Sequence, residues 1–336
     1  MQSVTPQAGI EAPPQVRPHR RSLPLRVGTR GSPLARAQTA KFLTILTQFC
    51  PVLRGMEVFE EHVIVTTGDA VQDRALAEIG GKGLFAKEIH EALAAGRIDF
   101  AVHSLKDLET TLPPGITLAC TLKREDARDV LVLPPGHGAV DAANPYAALK
   151  QGARIGSSSV RRQAQLKHAR PDLEFFLLRG NVGTRLAKLA GGEGDATLLA
   201  YAGLRRLGLA EAASVVLSPE LMVPSAAQGI VGVTVRSADT ELCALLAGIE
   251  DPEAKAVATA ERALLAALDG SCRTPIGGYA RLLPDGALHL TGLVARADGS
   301  FLLRRSLTGA AADAGRIGRE LGESLKGDSP ADIFAS

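Results

Sequence analysis

An apolar segment that ends abruptly in two opposite charges is the first candidate for chemistry. Residues 99–107 read DFAVHSLKD, so a predicted strand, 100–104, is followed at once by Lys106 and Asp107. An acid and a base at the carboxyl end of a strand are well placed to act on a ligand there. The alternative is a solvated ion pair that starts a loop, which is the commoner arrangement for such a segment taken alone. His103 is more typical of a strand residue than of a ligand.

A set of arginines near predicted helix N-termini is the second candidate. Positive side chains are disfavoured there by the helix dipole, so the pattern indicates anionic ligands. A surface salt bridge is the ordinary explanation for any one arginine, and a high-GC genome would raise the ratio of 28 Arg to 10 Lys. Taken together, the arginines favour a ligand with many carboxylates over one with a single phosphate. The set comprises Arg30, Arg161, Arg162, Arg179, Arg185, Arg205 and Arg206.

Two glycine-rich segments could also carry function. Residues 80–85, GGKGLF, lack the spacing of a phosphate-binding loop, and we predict a flexible loop that enters a helix. Cys272 lies in the turn 270–278, GSCRTPIGG, between a predicted helix and a strand. A free cysteine is usually a small buried hydrophobic residue, whereas a loop cysteine near positive charge can be a reactive thiolate. The sequence alone leaves both interpretations open.

Composition sets the class of protein. The 336 residues are enough for two or three domains. A net charge of +2 argues against a protein that coats nucleic acid, and no apolar run is long enough to cross a membrane. The four cysteines are far apart, so neither a zinc site nor a disulfide framework is indicated. Residues 1–23 lack the apolar core of a secretory signal, and we expect a disordered extension on a cytoplasmic protein.

Alternating strands and helices must position these residues. An apolar stretch from Leu25 runs into GTRGSP, where Ser32 is a suitable N-cap and Pro33 suits the first turn of a helix that reaches about Phe49. The alternation predicts a mostly parallel sheet covered on both faces. The other predicted elements of this module are strands at 63–66, 100–104 and 116–120 and a helix at 84–95.

A second module begins in the same way, since residues 154–157, RIGS, are similar to residues 26–29, RVGT. A G-x-x-D segment leads into an apolar run in each module, at Gly96 and at Gly192. The repetition predicts two α/β lobes with the ligand in the cleft between them. The sequence pattern changes at Asp251, where an Ala-rich helix begins and reaches 268. It is followed by predicted strands near 279–283, 287–294 and 301–305 and by a helix at about 310–325. These elements predict a small α+β domain.

Read together, these segments resemble the porphobilinogen deaminase family, from about Leu25 to the end of the third module. Seven motifs match in order: VGTRGSPLA, GGKGLF, AVHSLKDL, GSSSVRRQ, LRGNVGTRL, AAQGIVGV and GSCRTPIGGYA. The resemblance implies an α/β fold with two periplasmic-binding-protein-like lobes and a small C-terminal α+β domain. It implies a discontinuous lobe 1 of residues 24–122 and 228–240, a lobe 2 of residues 123–227, and a cofactor-carrying domain of residues 241–330.

The resemblance also implies an activity. Four porphobilinogen molecules would be condensed head to tail to hydroxymethylbilane with release of ammonia, in tetrapyrrole and heme biosynthesis. The implied enzyme is a monomeric transferase with no metal and no nucleic-acid or membrane partner. A dipyrromethane cofactor would be joined by a thioether to Cys272, and Asp107 would stabilise the cationic intermediates and exchange protons with them.

Each porphobilinogen brings one acetate and one propionate, which accounts for an arginine-rich cleft. Arg206 is chosen over Arg205 because the family usually has Lys at the earlier place. Lys82 and Phe85 match a possible lid. By resemblance, the residues that bind carboxylates of cofactor and substrate are Arg30, Ser32, Lys106, Ser158, Arg161, Arg162, Arg179, Arg185 and Arg206.

The sequence departs from the family at a few positions. Glu109 stands where proline is common, Ala226 and Ala227 stand where Val-Gly is frequent, and Ser271, Arg273 and Thr274 flank the cysteine in place of other residues. Two other functions are compatible with parts of the sequence. A two-lobed solute-binding protein would carry a secretion signal and would need neither Asp107 nor Cys272, and an RNA-binding protein would offer more aromatic residues for stacking on bases.

Overall fold

A computed structural model of the chain describes residues 23–54, 58–71, 83–269 and 274–334. The strands are β1 (Leu25–Arg30), β2 (Phe59–Ile64), β3 (Phe100–Ser104), β4 (Ile116–Thr121), β5 (Asp129–Val132), β6 (Arg154–Gly156), β7 (Glu174–Phe176), β8 (Ala196–Ala200), β9 (Val215–Val216), β10 (Val231–Arg236), β11 (Ile276–Leu282), β12 (Ala287–Ala295) and β13 (Leu302–Ala310). The α-helices are α1 (Pro33–Phe49), α2 (Thr67–Ala70), α3 (Lys87–Ala94), α4 (Val160–Ala169), α5 (Val182–Ala190), α6 (Tyr201–Arg206), α7 (Thr240–Ala247), α8 (Pro252–Ala267) and α9 (Ala314–Gly327).

The two lobes are built on sheets of the same design, with strand orders β2-β1-β3-β10-β4 and β7-β6-β8-β5-β9. In the first sheet β1 pairs in parallel with β2 and β3, while β10 runs antiparallel to β3 and β4. In the second sheet β6, β7 and β8 repeat the parallel part and β5 repeats the antiparallel strand. The prediction of two similar lobes, each with a mostly parallel sheet, is confirmed.

The chain crosses between the lobes twice, because the antiparallel strand of each sheet directly follows a segment of the other lobe. It leaves the first sheet after β4 to form β5, and it returns after β9 to form β10 between β3 and β4. The placement of β10 supports a lobe 1 made of residues 24–122 and 228–240, which remains the proposed division. Both crossings pass beside the carboxyl ends of the central strands.

Local sequence explains why α1 begins next to the end of β1. The Ser32 side chain accepts a hydrogen bond from the Ala35 amide at 3.2 Å, and Pro33 occupies the first turn, as predicted. The helix buries Phe42, whose ring packs edge-on against Phe100 of β3 at 5.5 Å between centroids. Because β1 and β3 are parallel neighbours, Arg30 and the segment after Ser104 reach the same edge of the sheet.

The C-terminal domain is an antiparallel sheet, β11-β12-β13, covered by α8 and α9. The two helices approach so closely that a Cβ on Gly318 would lie 2.2 Å from the Ala260 carbonyl oxygen, which only glycine allows. The predicted last helix at 310–325 begins later, at Ala314, because β13 continues to Ala310 in register with β12. The strand predicted at 63–66 lies earlier, at 59–64, where it pairs with β1, and the helix predicted at 84–95 begins only at Lys87.

Ala227 lies in the second crossing with a left-handed backbone, φ 61°, although its side chain is buried. A non-glycine residue in this conformation costs roughly 1–2 kcal/mol. The position is held because the Ala227 amide donates to Glu261 Oε2 at 2.6 Å. We therefore expect Ala227→Gly to raise the free energy of unfolding by about 0.5–1 kcal/mol, measured by urea denaturation.

Ala226→Gly is the matched control for that measurement. Ala226 is also buried but does not have a positive φ, so its replacement removes a packed methyl group and relieves no strain. The control should lower the free energy of unfolding by about 0.5–1 kcal/mol. Equal destabilisation by both substitutions would show that the backbone at Ala227 is not strained.

Candidate active site

A cleft of about 590 Å³ opens between the two lobes at the edge where their central parallel strands end. Its walls bring together seven of the side chains predicted from the sequence, three of them from lobe 2. Distances between the two modules could not be predicted from the sequence, so the meeting of these residues in one cleft is a result of the fold. The seven are Arg30, Ser32, Phe85, Lys106, Arg162, Arg179 and Arg185.

Asp107 belongs to a single 3-10 turn, Leu105–Asp107, that directly follows β3. Leu105 anchors this turn, since its side chain is fully buried and its amide donates to the Ile230 carbonyl at 2.9 Å. The Asp107 side chain remains 26% exposed, and its Oδ2 lies 3.3 Å from Arg30 Nη1. The turn therefore presents a partly exposed carboxylate next to Arg30, which lines the cleft, although Asp107 itself is not among the lining residues.

Arg30 is shared between two carboxylates, of which Asp69 was not predicted. Its Nε and Nη2 donate to the two Asp69 oxygens at 3.1 and 2.5 Å, and the Thr66 hydroxyl donates to Asp69 at 2.7 Å. Burial opposes ionisation, but the hydrogen bonds from Arg30 and Thr66 outweigh it and lower the pKa of Asp69. The Phe85 ring stacks on the guanidinium at 4.2 Å. Asp69 follows a strand end as Asp107 does, and that signal could have identified it.

Among the residues that the structure describes, no carboxylate forms an ion pair with Lys106. Its Nζ donates to Gln228 Oε1 at 3.1 Å, and the Gln228 amide in turn donates to Asp129 Oδ1 at 2.8 Å. Burial and the positive field of Arg162 lower the pKa of Lys106 to about 8, while Asp107 and Asp129 partly oppose that shift. An anionic ligand beside Lys106 would raise this pKa again and further favour the charged form.

Asp129 is a fully buried carboxylate at the start of β5 that holds two neighbouring arginines. Arg161 Nη1 lies 2.7 Å from Oδ2, and Arg162 Nη2 lies 2.8 Å from Oδ1. Burial would raise the pKa of Asp129, but the two guanidinium groups reverse this effect and hold it well below its usual range. Sequence reasoning missed Asp129, although a charge at the head of an apolar run was a usable signal.

The structure separates two arginines that the sequence treated alike. Arg162 reaches the cleft and also donates to the Leu198 carbonyl at 2.8 Å. Arg161 lies behind it, outside the cleft lining, and donates its other hydrogen bond to the Val223 carbonyl at 2.7 Å. Both arginines are buried, so both charges depend on Asp129.

The far wall of the cleft is set by the loop before α5. The Asn181 side chain caps the helix by accepting from the Thr184 amide at 2.9 Å, and Gly180 has a φ of 113° that requires glycine. Arg179 donates across the cleft to the Gly68 and Val71 carbonyls at 3.1 and 3.0 Å. Burial and the nearby guanidinium groups lower the pKa of Arg185 to about 10. This wall therefore has a surplus of positive charge.

The remaining predicted residues are less directly placed. Arg206 lies beside the cleft lining, where its Nη2 donates to the Gly229 carbonyl at 2.6 Å and its buried Nε has no partner among the described residues. Ser158 is half-buried directly before Ser159, whose side chain caps α4. Cys272, Lys82 and residues 1–22 lie outside the described ranges.

The fold and the cleft define a two-lobed α/β protein with an arginine-rich cleft between its lobes. The family model described as "Porphobilinogen deaminase, dipyromethane cofactor binding domain" matches residues 25–244, and that described as "Porphobilinogen deaminase, C-terminal domain" matches residues 255–327. The porphobilinogen deaminase of Paracoccus denitrificans is 48% identical over 313 residues, which cover 93% of this chain and 96% of that protein.

Similarity extends to a plant protein and, at the level of structure, to a bacterial domain. The chloroplastic porphobilinogen deaminase of Oryza sativa subsp. japonica is 45% identical over 285 residues, covering 85% of this chain and 78% of that protein. Among solved structures, the VFT2 domain of Bordetella pertussis BvgS aligns with a TM-score of 0.40 at 15% identity, covering 70% of this chain and 91% of that domain.

The chain belongs to the porphobilinogen deaminase family. It is accordingly an enzyme, a transferase of tetrapyrrole biosynthesis that carries the family's dipyrromethane-binding domain. Membership removes the solute-binding and RNA-binding alternatives as principal functions. None of the helices in the described ranges is long and apolar enough to span a membrane.

Proposed function

We propose that the protein condenses four porphobilinogen molecules into hydroxymethylbilane in the cleft between its lobes, with Asp107 as the catalytic carboxylate. The observation that carries this proposal is the position of Asp107, a partly exposed carboxylate that contacts Arg30 beside a cleft rich in cations from both lobes. Substrate carboxylates fit the cations, and a positive charge that develops on the pyrrole fits Asp107. The cleft therefore offers cations that bind the substrate carboxylates and, separately, a carboxylate that stabilises the reacting pyrrole.

The residues fit a dipyrromethane that bears acetate and propionate side chains. Lys106 and Arg185 have lowered pKa values, and Arg206 has an unpartnered buried Nε, so each would gain from a ligand carboxylate. When bound, the cofactor supplies a terminal pyrrole carbon to which the first substrate is joined. We assign Arg162, Arg179 and Arg185 to its side chains and those of the growing chain, together with Lys106.

Arg30 and Asp107 act at the reacting end. Arg30 is held by Asp69 through two hydrogen bonds, so its Nη1 remains directed at Asp107 Oδ2. Loss of ammonia from the substrate leaves positive charge on its pyrrole ring, which the Asp107 carboxylate stabilises and from whose nitrogen it can accept a proton. Arg30 would also bind a substrate carboxylate, with the Phe85 ring covering its outer face.

Other predicted residues take more limited roles in this proposal. Arg161 stabilises Asp129 and keeps Arg162 in place, so it supports the site from behind the cleft wall. Ser32 and Ser158 stand at the beginnings of α1 and α4, where backbone amides favour anions. Three further points stay predictions from the sequence: a lid that includes Lys82, a monomeric state and a cytoplasmic location. Light scattering on the purified protein tests the monomeric state.

The mass of the intact protein tests cofactor attachment. We expect active protein to be heavier than its sequence by two linked pyrrole units, all of which map to the peptide that contains Cys272. Cys272→Ser should fold and lack the added mass, because a thiol is replaced by a hydroxyl of similar size. Cys243→Ser is the control, since Cys243 is a half-buried cysteine on α7, and its substitution should leave the added mass unchanged. An unmodified mass in active protein would refute covalent attachment.

A further inference from the structure

The C-terminal domain sends one arginine into the segment that follows Asp107. Arg262 lies on α8, and its Nη2 donates to the Glu109 and Thr110 carbonyls at 2.5 and 3.2 Å. Its Nη1 lies 3.4 Å from the Leu108 carbonyl, so a single guanidinium spans three consecutive peptide groups. These peptide groups begin at the residue directly after Asp107.

The electrostatics of Arg262 differ from those of the cleft arginines. Within the part of the chain that the structure describes, no carboxylate forms an ion pair with it, and burial lowers its pKa. The adjacent Glu261 is committed elsewhere, to Arg124 and to two backbone amides. In the described ranges this half-buried cation is satisfied by carbonyl oxygens alone, so losing these contacts would be costly, because a charge removed from water and left unpaired is disfavoured.

The same domain also packs against the turn that carries Asp107. Leu105 and Leu108 are buried in one hydrophobic cluster with Ala254, Val257 and other residues of α8. These two leucines flank the Lys106-Asp107 pair, so apolar packing fixes the turn at both ends. Packing against an apolar surface leaves rotation and small sliding movements available, whereas directed hydrogen bonds to three carbonyls restrict them.

We propose that Arg262 is a positioning residue for catalysis, which fixes the orientation of Asp107 by clamping the three peptide groups after it. This inference rests on the proposed role of Asp107. The catalytic carboxylate would then be held in place by contacts with the C-terminal domain and not by contacts with lobe 2, which lies across the cleft. A relative movement of the lobes would then change the binding wall without displacing Asp107.

A double-mutant cycle on cofactor-loaded enzyme tests the proposal. We expect Arg262→Ala to slow single-turnover ammonia release by roughly ten- to a hundredfold, with little change in substrate KM, because a small displacement of a catalytic group is enough for such a loss. Arg262→Lys, which can reach fewer carbonyls, should fall between it and the wild type. Guanidinium chloride, at a concentration far below that which unfolds the protein, should partly restore the rate of Arg262→Ala.

The decisive comparison combines Arg262→Ala with Asp107→Asn. If Arg262 acts through Asp107, the double variant is about as slow as Asp107→Asn alone, so the two losses are not additive. Fully additive losses, or a normal rate per loaded and folded Arg262→Ala molecule, would overturn the proposal. A normal rate in Asp107→Asn itself would instead overturn the role of Asp107.

Arg296→Ala is the matched control, and Arg262→Lys protects the test against poor folding. Arg296 lies in the same domain, but its guanidinium forms an exposed pair with Asp332 at 2.9 Å. Its removal should leave the rate of ammonia release within twofold of wild type, since exposed pairs contribute little. Equal slowing by Arg296→Ala and Arg262→Ala would show a general effect on the domain and would also overturn the proposal.

Discussion

Asp107→Asn is expected to reduce the rate of ammonia release by a factor of about 10²–10³, and by more if Asp107 also transfers protons. The substitution keeps the size of the side chain and some hydrogen bonding but removes the negative charge that faces the reacting pyrrole. The 3-10 turn should survive, because buried Leu105 and its hydrogen bond to the Ile230 carbonyl, directly before β10, hold it. Substrate binding should change less than the rate, since the substrate carboxylates are assigned to cations elsewhere in the cleft.

Single-turnover measurements on protein whose cofactor loading has been verified by mass isolate this effect. Asp69→Asn is the companion variant, because it removes a second cleft carboxylate that also contacts Arg30. It should cause a smaller loss of rate, since its charge is already committed to the guanidinium. If Asp107 were only a structural partner of Arg30, Asp107→Asn would lower thermal stability while the folded fraction released ammonia at a near-normal rate. That outcome would remove Asp107 from the mechanism.

The catalytic turn could be recognised from sequence because its parts are contiguous. An apolar run that ends in Lys106 and Asp107 predicts a strand and the edge at which it stops, and β3 has the predicted bounds. Arg30 was accessible to the same reasoning, since Ser32 and Pro33 mark the start of a helix after β1. Parallel pairing of β1 with β3 then brings both ends together. Local patterns were sufficient to predict this part of the site, because the parallel pairing of neighbouring strands brings their ends together.

The roles of Arg161 and Arg162 could not be separated in this way. Successive residues on a helix point in different directions, so one arginine faces the cleft and the other faces away from it. Which one faces the cleft depends on how α4 packs against the sheet, and on β5, whose strand was not predicted. Their partner Asp129 is 32 residues away from Arg161 in sequence, so the pairing exists only in the folded lobe.

The pairing of the antiparallel strands could not be predicted from local sequence either. The apolar run of β10 indicates a strand but does not identify its neighbours, and only the family resemblance placed it in lobe 1. Lys106 depends on this long-range arrangement, because its partner Gln228 is 122 residues away in the second crossing. The environment that lowers the pKa of Lys106 is therefore a property of the assembled lobes.

Asp129→Asn should cause the largest loss of stability among these variants. It leaves the buried guanidinium groups of Arg161 and Arg162 without their counter-charge, and breaking a buried ion pair in this way costs about 3–5 kcal/mol. Urea denaturation at neutral pH measures the change in the free energy of unfolding. Asp172→Asn is the control, because Asp172 forms a similar pair with Arg170 in the same lobe, at 2.7 Å, but near the surface, where a much smaller loss is expected.

The pH dependence of the difference in the free energy of unfolding between the wild type and Asp129→Asn tests whether the charge of Asp129 is its cause. Because the folded protein holds the pKa of Asp129 below its ordinary value of 3.8, the ionised carboxylate contributes stability that is fully present above that value. This contribution is lost as the pH falls through the folded pKa, where the wild type also becomes neutral at this position. The gap between wild type and Asp129→Asn should therefore stay constant from neutral pH down to about the ordinary value of an aspartate and narrow in stronger acid. A gap no larger than that of Asp172→Asn, or one that already narrows near neutral pH, would show that the charge of Asp129 does not hold the two arginines.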